Sequence, residues 1–144
     1  MSPAAYNAIK DYLVLGNLAR VLDFDEADNE LTQGGDLPFI VLEEAYGDEA
    51  TVCIGNGGTY GVDETGTVLI HSFAPNPDGS GFVRTLGEAV RQRMAGASLL
   101  NGELFIERCG PPEPVQLGNG RWADGVVSLD YRYHTDRVAF YARA

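Results

Sequence analysis

The sequence predicts an α+β domain in which a mostly antiparallel sheet carries two helices on it. The first sign is residues 67–73, where Thr67, Leu69, His71 and Phe73 alternate with Val68, Ile70 and Ser72. Side chains in a strand point to opposite faces with period two, and here both faces are largely apolar, which marks a central strand. The second is Phe82, Val83, Leu86, Ala89, Val90 and Met94, which recur at helical spacing. The third is Ser2-Pro3, an N-cap followed by proline at the first helical position, with Ala5, Tyr6, Ile9 and Leu13 behind it on one stripe.

Taken in order, the chain opens with a helix over residues 3–15 that Gly16-Asn17 can stop. Val21, Leu22 and Phe24 suggest a short strand, and residues 25–37, acidic and polar with Gly34-Gly35, read as a surface loop. Residues 38–46 read as a strand; Gly47-Asp48 reads as the turn of a hairpin whose second arm is residues 51–54. Gly55-Asn56-Gly57-Gly58 turns the chain into a long strand over residues 59–73, with an interruption expected near Gly66. The prolines and glycines of residues 74–81 force an exposed turn, because proline has no N–H to donate. The second helix follows, with Arg84, Glu88 and Arg91 on its polar side and its end near Gly96. Residues 103–109 and 121–134 read as strands around a proline-rich break at residues 110–114, and Val127, Leu129, Tyr131 and Tyr133 share one face of the last. The tail, residues 137–144, is a final strand or an arm for a neighbour.

The 144 residues, 44% of them hydrophobic, suit one domain over 1–144 with an ordinary core. The apolar runs fall far below the roughly 20 residues of a membrane helix, and the N-terminus lacks a signal-peptide layout, so a cytosolic site of synthesis and use is expected. Cys53 and Cys109 have no metal-ligand spacing and read as buried thiols. Charge is lopsided: residues 1–72 carry 13 carboxylates against Lys10 and Arg20, and the remainder holds eight charges of each sign. Such a surface repels nucleic acid and argues against a groove that grips phosphates, although a pore with like-charged walls lets DNA slide. General solubility explains the same charge.

Several motifs tempt and fail. Asp25-Glu26-Ala27-Asp28 spells a helicase tetrapeptide, but the phosphate-cradling loop that must accompany it ends in lysine, and Lys10 is the only lysine. Asp23, Asp25, Asp28 and Glu30 lack the glycine and distal glutamate of a calcium loop. Gly55-Asn56-Gly57-Gly58 leads into a strand, whereas a phosphate loop leads into a helix. His71 and His134 have no nucleophile or carboxylate at meaningful spacing and read as structural. Arg121-Trp122 fits an interface anchor and a core-edge tryptophan equally well. No catalytic residue, cofactor or metal is called for.

The chain resembles the small tail terminator, or tail completion, proteins of long-tailed bacteriophages and gene transfer particles. The resemblance rests on Ser2-Pro3-Ala4-Ala5, Leu37-Pro38-Phe39-Ile40-Val41 and Thr51-Val52-Cys53-Ile54-Gly55. It rests further on the stretch 63–75 leading into Gly79-Ser80-Gly81 and the second helix, and on Gly120-Arg121-Trp122. The acidic residues 23–36 and the length of the tail depart from the family pattern.

The resemblance implies a tail-terminator-like fold and a structural virion protein without enzymatic activity, assembled in the bacterial cytoplasm and placed in the virion tail. It implies a ring, of six copies, that caps the tail tube, stops its polymerisation and meets the head-neck connector while DNA passes through unbound. Tyr60, Asp63, Glu64, Arg121 and Trp122 are the subunit-interface candidates, and Asp23, Asp25, Glu26, Asp28 and Glu30 the candidates for an acidic lumen. Three other readings stand beside it. They are a head-tail connector of the neck, a monomeric binding module that hides Val138, Phe140 and Tyr141 in its own core, and an enzyme pairing His71 or His134 with carboxylates of the acidic half.

Overall fold

The computed structural model describes residues 1–33, 36–54, 59–75, 79–113, 116–117 and 121–138. The expected turn at residues 55–58, residues 76–78 of the turn expected over 74–81, and residues 139–144 of the tail lie outside the described residues; of that turn, residues 74–75 are strand and 79–81 helix, and residues 137–138 of the tail continue the last strand.

Helix α1, Pro3–Leu15, begins as expected: the Ser2 hydroxyl accepts from the Ala5 N–H and Pro3 occupies the first turn. Strand β1, Arg20–Leu22, follows, and then comes a departure from expectation. The acidic stretch is not a loop but helix α2, Phe24–Gln33, a helix beyond the two expected. Its start is a capping box, with the Glu26 carboxylate accepting from the Asp23 N–H at 3.3 Å. Phe24, Ala27 and Leu31 then line one side at helical spacing. Topology demands the helix, because β1 pairs in parallel with the next strand and the chain must cross back between them.

Strand β2, Phe39–Ile54, and strand β3, Thr59–Pro75, form a long antiparallel pair. The hairpin expected at Gly47-Asp48 is absent: Gly47 pairs with Gly66 and Asp48 with Thr65 inside one continuous ladder. Register shifts at Glu44/Tyr46 and Thr51/Cys53 absorb one extra residue each as bulges, so β2 bends without turning back. Nor is β3 interrupted at Gly66. A Cβ there would lie 2.3 Å from the Tyr46 carbonyl and 3.0 Å from the Tyr131 ring, so the glycine is the gap into which Tyr131 packs.

Helix α3, Gly79–Met94, starts earlier than its apolar stripe suggested and leaves Phe82 46% exposed, whereas Val83, Leu86, Val90 and Met94 are buried. Gly96, at φ +73°, takes the left-handed turn that ends it. Strand β4, Ser98–Leu99, a short 3₁₀ turn, strand β5, Leu104–Cys109, strand β6, Gln116–Leu117, and strand β7, Trp122–Val138, complete the chain. The order across the sheet is β1-β2-β3-β7-β5-β4, with β6 on β7, and among the described residues β1–β2 is the one parallel pair.

The two faces of the sheet are covered differently. Ile40, Leu42, Val68, Ile70, Val127, Leu129 and Tyr131 form the main core with α1 and α3. Arg93 ties those helices together, donating to the Tyr12 carbonyl at 2.9 Å with its guanidinium 3.8 Å from the Tyr12 ring centre. On the other face α2 covers only one end, where Ala27, Phe39, Val41 and Trp122 make a second small core. Gly66→Ala is expected to lower the unfolding free energy by about 2 kcal/mol through overpacking against Tyr131 and the Tyr46 carbonyl, read from the shift in urea midpoint.

Candidate functional site

The half-covered face carries the chemistry. His71, near the C-terminal end of β3, points toward α2 between two carboxylates from the strands on either side. Its Nε2 lies 2.6 Å from Glu43 Oε2 on β2 and its Nδ1 3.4 Å from Asp124 Oδ1 on β7. The ring stacks on Phe73, 5.9 Å away between centres, which holds its plane. Its pKa is raised above the ordinary histidine value, chiefly by the hydrogen bond to Asp124 and further by Glu43, against the opposing effect of burial. With an acceptor at each nitrogen, the imidazolium form donates twice, and neither nitrogen is free to take a proton from a substrate.

Around this trio lies a cleft of about 240 Å³ between α2 and the sheet, walled by Phe24, Ala27, Leu31, Val41 and Phe73, with Asp28 also lining it. No serine, threonine or cysteine contributes to that lining, whose polar groups are His71 and the carboxylates of Asp28, Glu43 and Asp124. Sequence reading singled out His71 but not its partners, which are 28 and 53 residues away in the chain. The pairing register that joins them leaves no local signal.

His134 repeats the arrangement at the far end of the face. Its Nδ1 is 2.6 Å from Asp63 Oδ1 and its Nε2 3.6 Å from Asp136, and Asp63 raises its pKa. Among the described residues no group of three or more histidine, cysteine or acidic side chains is placed to hold a metal ion. Cys109 is buried, and that burial pushes its thiol up to about 11; the Cys53 side chain lies outside the described residues.

The interface candidates fall into two separate groups. Asp63 and Glu64 sit near the start of β3, whereas Trp122 pairs with Pro75 at the other end of the β3–β7 ladder, about 40 Å away at ~3.3 Å per residue. Glu64 is occupied inside the chain, accepting from the Ser2 N–H at 2.8 Å and the Tyr131 hydroxyl at 3.0 Å. Tyr60 is half-buried and pairs in the ladders with Ile54 and Arg137, and Arg121 is exposed. Trp122 is 2% exposed and meets Phe39 edge-on, the core-edge placement of the two weighed from sequence. Of the lumen candidates, Asp23 pairs with Lys10 at 2.6 Å and Glu30 with Arg20 at 3.2 Å. Glu26 caps α2, and Asp25 and Asp28 are exposed on that helix.

No helix among the described residues is long and apolar enough to cross a membrane. Neither a family model nor a curated protein matches the sequence.

Because the raised pKa of His71 favours its protonated form in the fold, its contribution to stability is full below the unfolded-state value near 6.5 and fades as pH rises through the folded-state value. Urea denaturation between about pH 5 and 9 is expected to show that decline in the wild type and a flatter profile in His71→Gln.

Proposed function

We propose that the chain is a ring-forming structural protein of the tail-terminator kind, which caps a finished tail tube, ends its growth and offers its other face to the neck. The observation that carries this reading is the open edge of β2. β1 covers only Phe39, Ile40 and Val41, so from Leu42 to Asp48 one side of the strand has no strand partner among the described residues. Unpaired N–H and C=O groups in a row are a template for another chain, and an edge of this length is uncommon in a protein that works alone. A closed ring needs one patch that meets a different patch on the next copy. The opposite side of the sheet supplies candidates in the short β4 and in β7 beyond Thr135, which β5 does not reach.

The charge distribution supports a passage for DNA rather than a grip on it. Asp25 and Asp28 are exposed on α2, Asp28 at the rim of the cleft, and the face beside it carries Asp130 together with Glu43 and Asp63, which pair with His71 and His134. Like charge along a wall keeps phosphates from settling. The reading assigns the chain no enzymatic activity, in keeping with a His71 whose two nitrogens are both engaged by carboxylates.

Native mass across a concentration series, with and without the cognate tube protein, tests the ring. A discrete species near six times the 15.5 kDa chain mass is expected; a monomer under every condition would overturn the reading in favour of a monomeric adaptor. The lumen is tested by changing Asp25 and Asp28 to lysine, since neither makes an ion pair within the chain among the described residues. Rings are expected to persist while DNA delivery slows, and particles of full infectivity would exclude an acidic lumen at α2.

A further inference from the structure

The cleft beneath α2 has a charge imbalance that no described residue resolves. Asp28 from α2, Glu43 from β2 and Asp124 from β7 line it with a single imidazole, so two negative charges remain in excess even with His71 protonated. The two cations of the acidic half are committed elsewhere, Lys10 to Asp23 and Arg20 to Glu30 and the Leu37 carbonyl. Carboxylates held beside apolar walls gain most from a cation that brings its own hydrogen-bond donors. The walls ask for something different, since Phe24, Leu31 and Phe73 offer aromatic and aliphatic surface, and Phe24 is 59% exposed.

An apolar stem ending in a planar cation satisfies both demands. The guanidinium of arginine fits better than an ammonium, because its flat fork can bridge two carboxylates and stack on a phenyl ring. Size points to one side chain rather than a free metabolite: about 240 Å³ is below the roughly 300–1,000 Å³ of ordinary small-molecule sites. The exposed Phe24 ring then gives the partner's neighbouring residues a surface to rest on.

We propose that the cleft formed by α2, Glu43, His71 and Asp124 is a docking slot for one arginine side chain presented by a partner polypeptide. The guanidinium takes over the carboxylates that His71 bridges, so arginine and the His71 proton compete, and docking strengthens as His71 loses its proton. This inference stands independently of the ring, since a ring subunit and a monomeric adaptor would use the slot in the same way.

The test is an NMR titration of the full chain with the capped pentapeptide Ala-Leu-Arg-Leu-Ala, followed at the His71 ring and the Trp122 indole. Saturable shifts are expected, with affinity at least about tenfold lower for the peptide carrying glutamine in place of arginine. The Glu43→Gln/Asp124→Asn variant is expected to lose a similar factor, and binding to the wild type to tighten on the alkaline side of the His71 titration. Asp28→Asn, at the rim of the cleft and without an ion pair among the described residues, provides a variant that leaves the folded contacts intact and should weaken binding several-fold. Glu107→Gln, on β5 away from the cleft, should leave it unchanged. The proposal is overturned if the glutamine peptide binds equally well, if millimolar arginine peptide gives no saturable shift, or if free argininamide binds as tightly as the peptide.

Discussion

The fold depends on β3 being hydrogen-bonded along both edges. From Tyr60 to Phe73 it pairs with β2 on one side, and from Thr59 to Pro75 with β7 on the other. Because side chains alternate, this one strand sorts the molecule into two faces. Val68, Ile70 and Ala74 go to the side of α1 and α3, while Leu69, His71 and Phe73 go to the side of α2. A slip of one residue would bury His71 in the main core and expose Ile70, so the register is held by two ladders at once. Tyr131 over Gly66 reinforces it, since an aromatic ring from β7 can close against β3 at a glycine and not at its neighbours.

The second face exists because of a topological requirement. A parallel pair in an otherwise antiparallel sheet obliges the chain to cross over, and α2 is that crossover. Too short to cover the sheet, it shields one end and leaves the rest to solvent. At the boundary between covered and open surface, burial is deep enough to strengthen the ion contacts of His71, and access is wide enough to leave a cleft. The same residues therefore serve stability and present a recognition surface. The carboxylates that attract a cation are the ones that keep the imidazole protonated.

Charge is distributed along the same division. The first half of the chain supplies α2 and the β2 edge with Asp25, Asp28, Glu43, Glu44 and Asp48, whereas most of the arginines belong to α3, β5 and β7. An open strand edge and an acidic cleft lie on the acidic part, and α3 and β5 present Arg84 and Arg108 to solvent. Such a two-sided molecule suits contacts between unlike patches, as in head-to-tail assembly.

By itself the sequence determined what local patterning controls. The serine cap of α1, the apolar stripe of α3, the two-faced centre of β3 and the aromatic face of β7 are all written in spacings of two or three to four residues. Only the tertiary structure decided that Gly47-Asp48 stays inside a strand, because a bulge and a neighbouring ladder can carry a turn-forming pair straight through. It decided that the acidic stretch is a helix, for which Asp23 and Glu26 were the available signal and high polarity concealed the short apolar stripe. It also decided the company His71 keeps. Glu43 and Asp124 reach it through strand register, and register is a property of chains already paired, set by long-range contacts that no local window of residues contains.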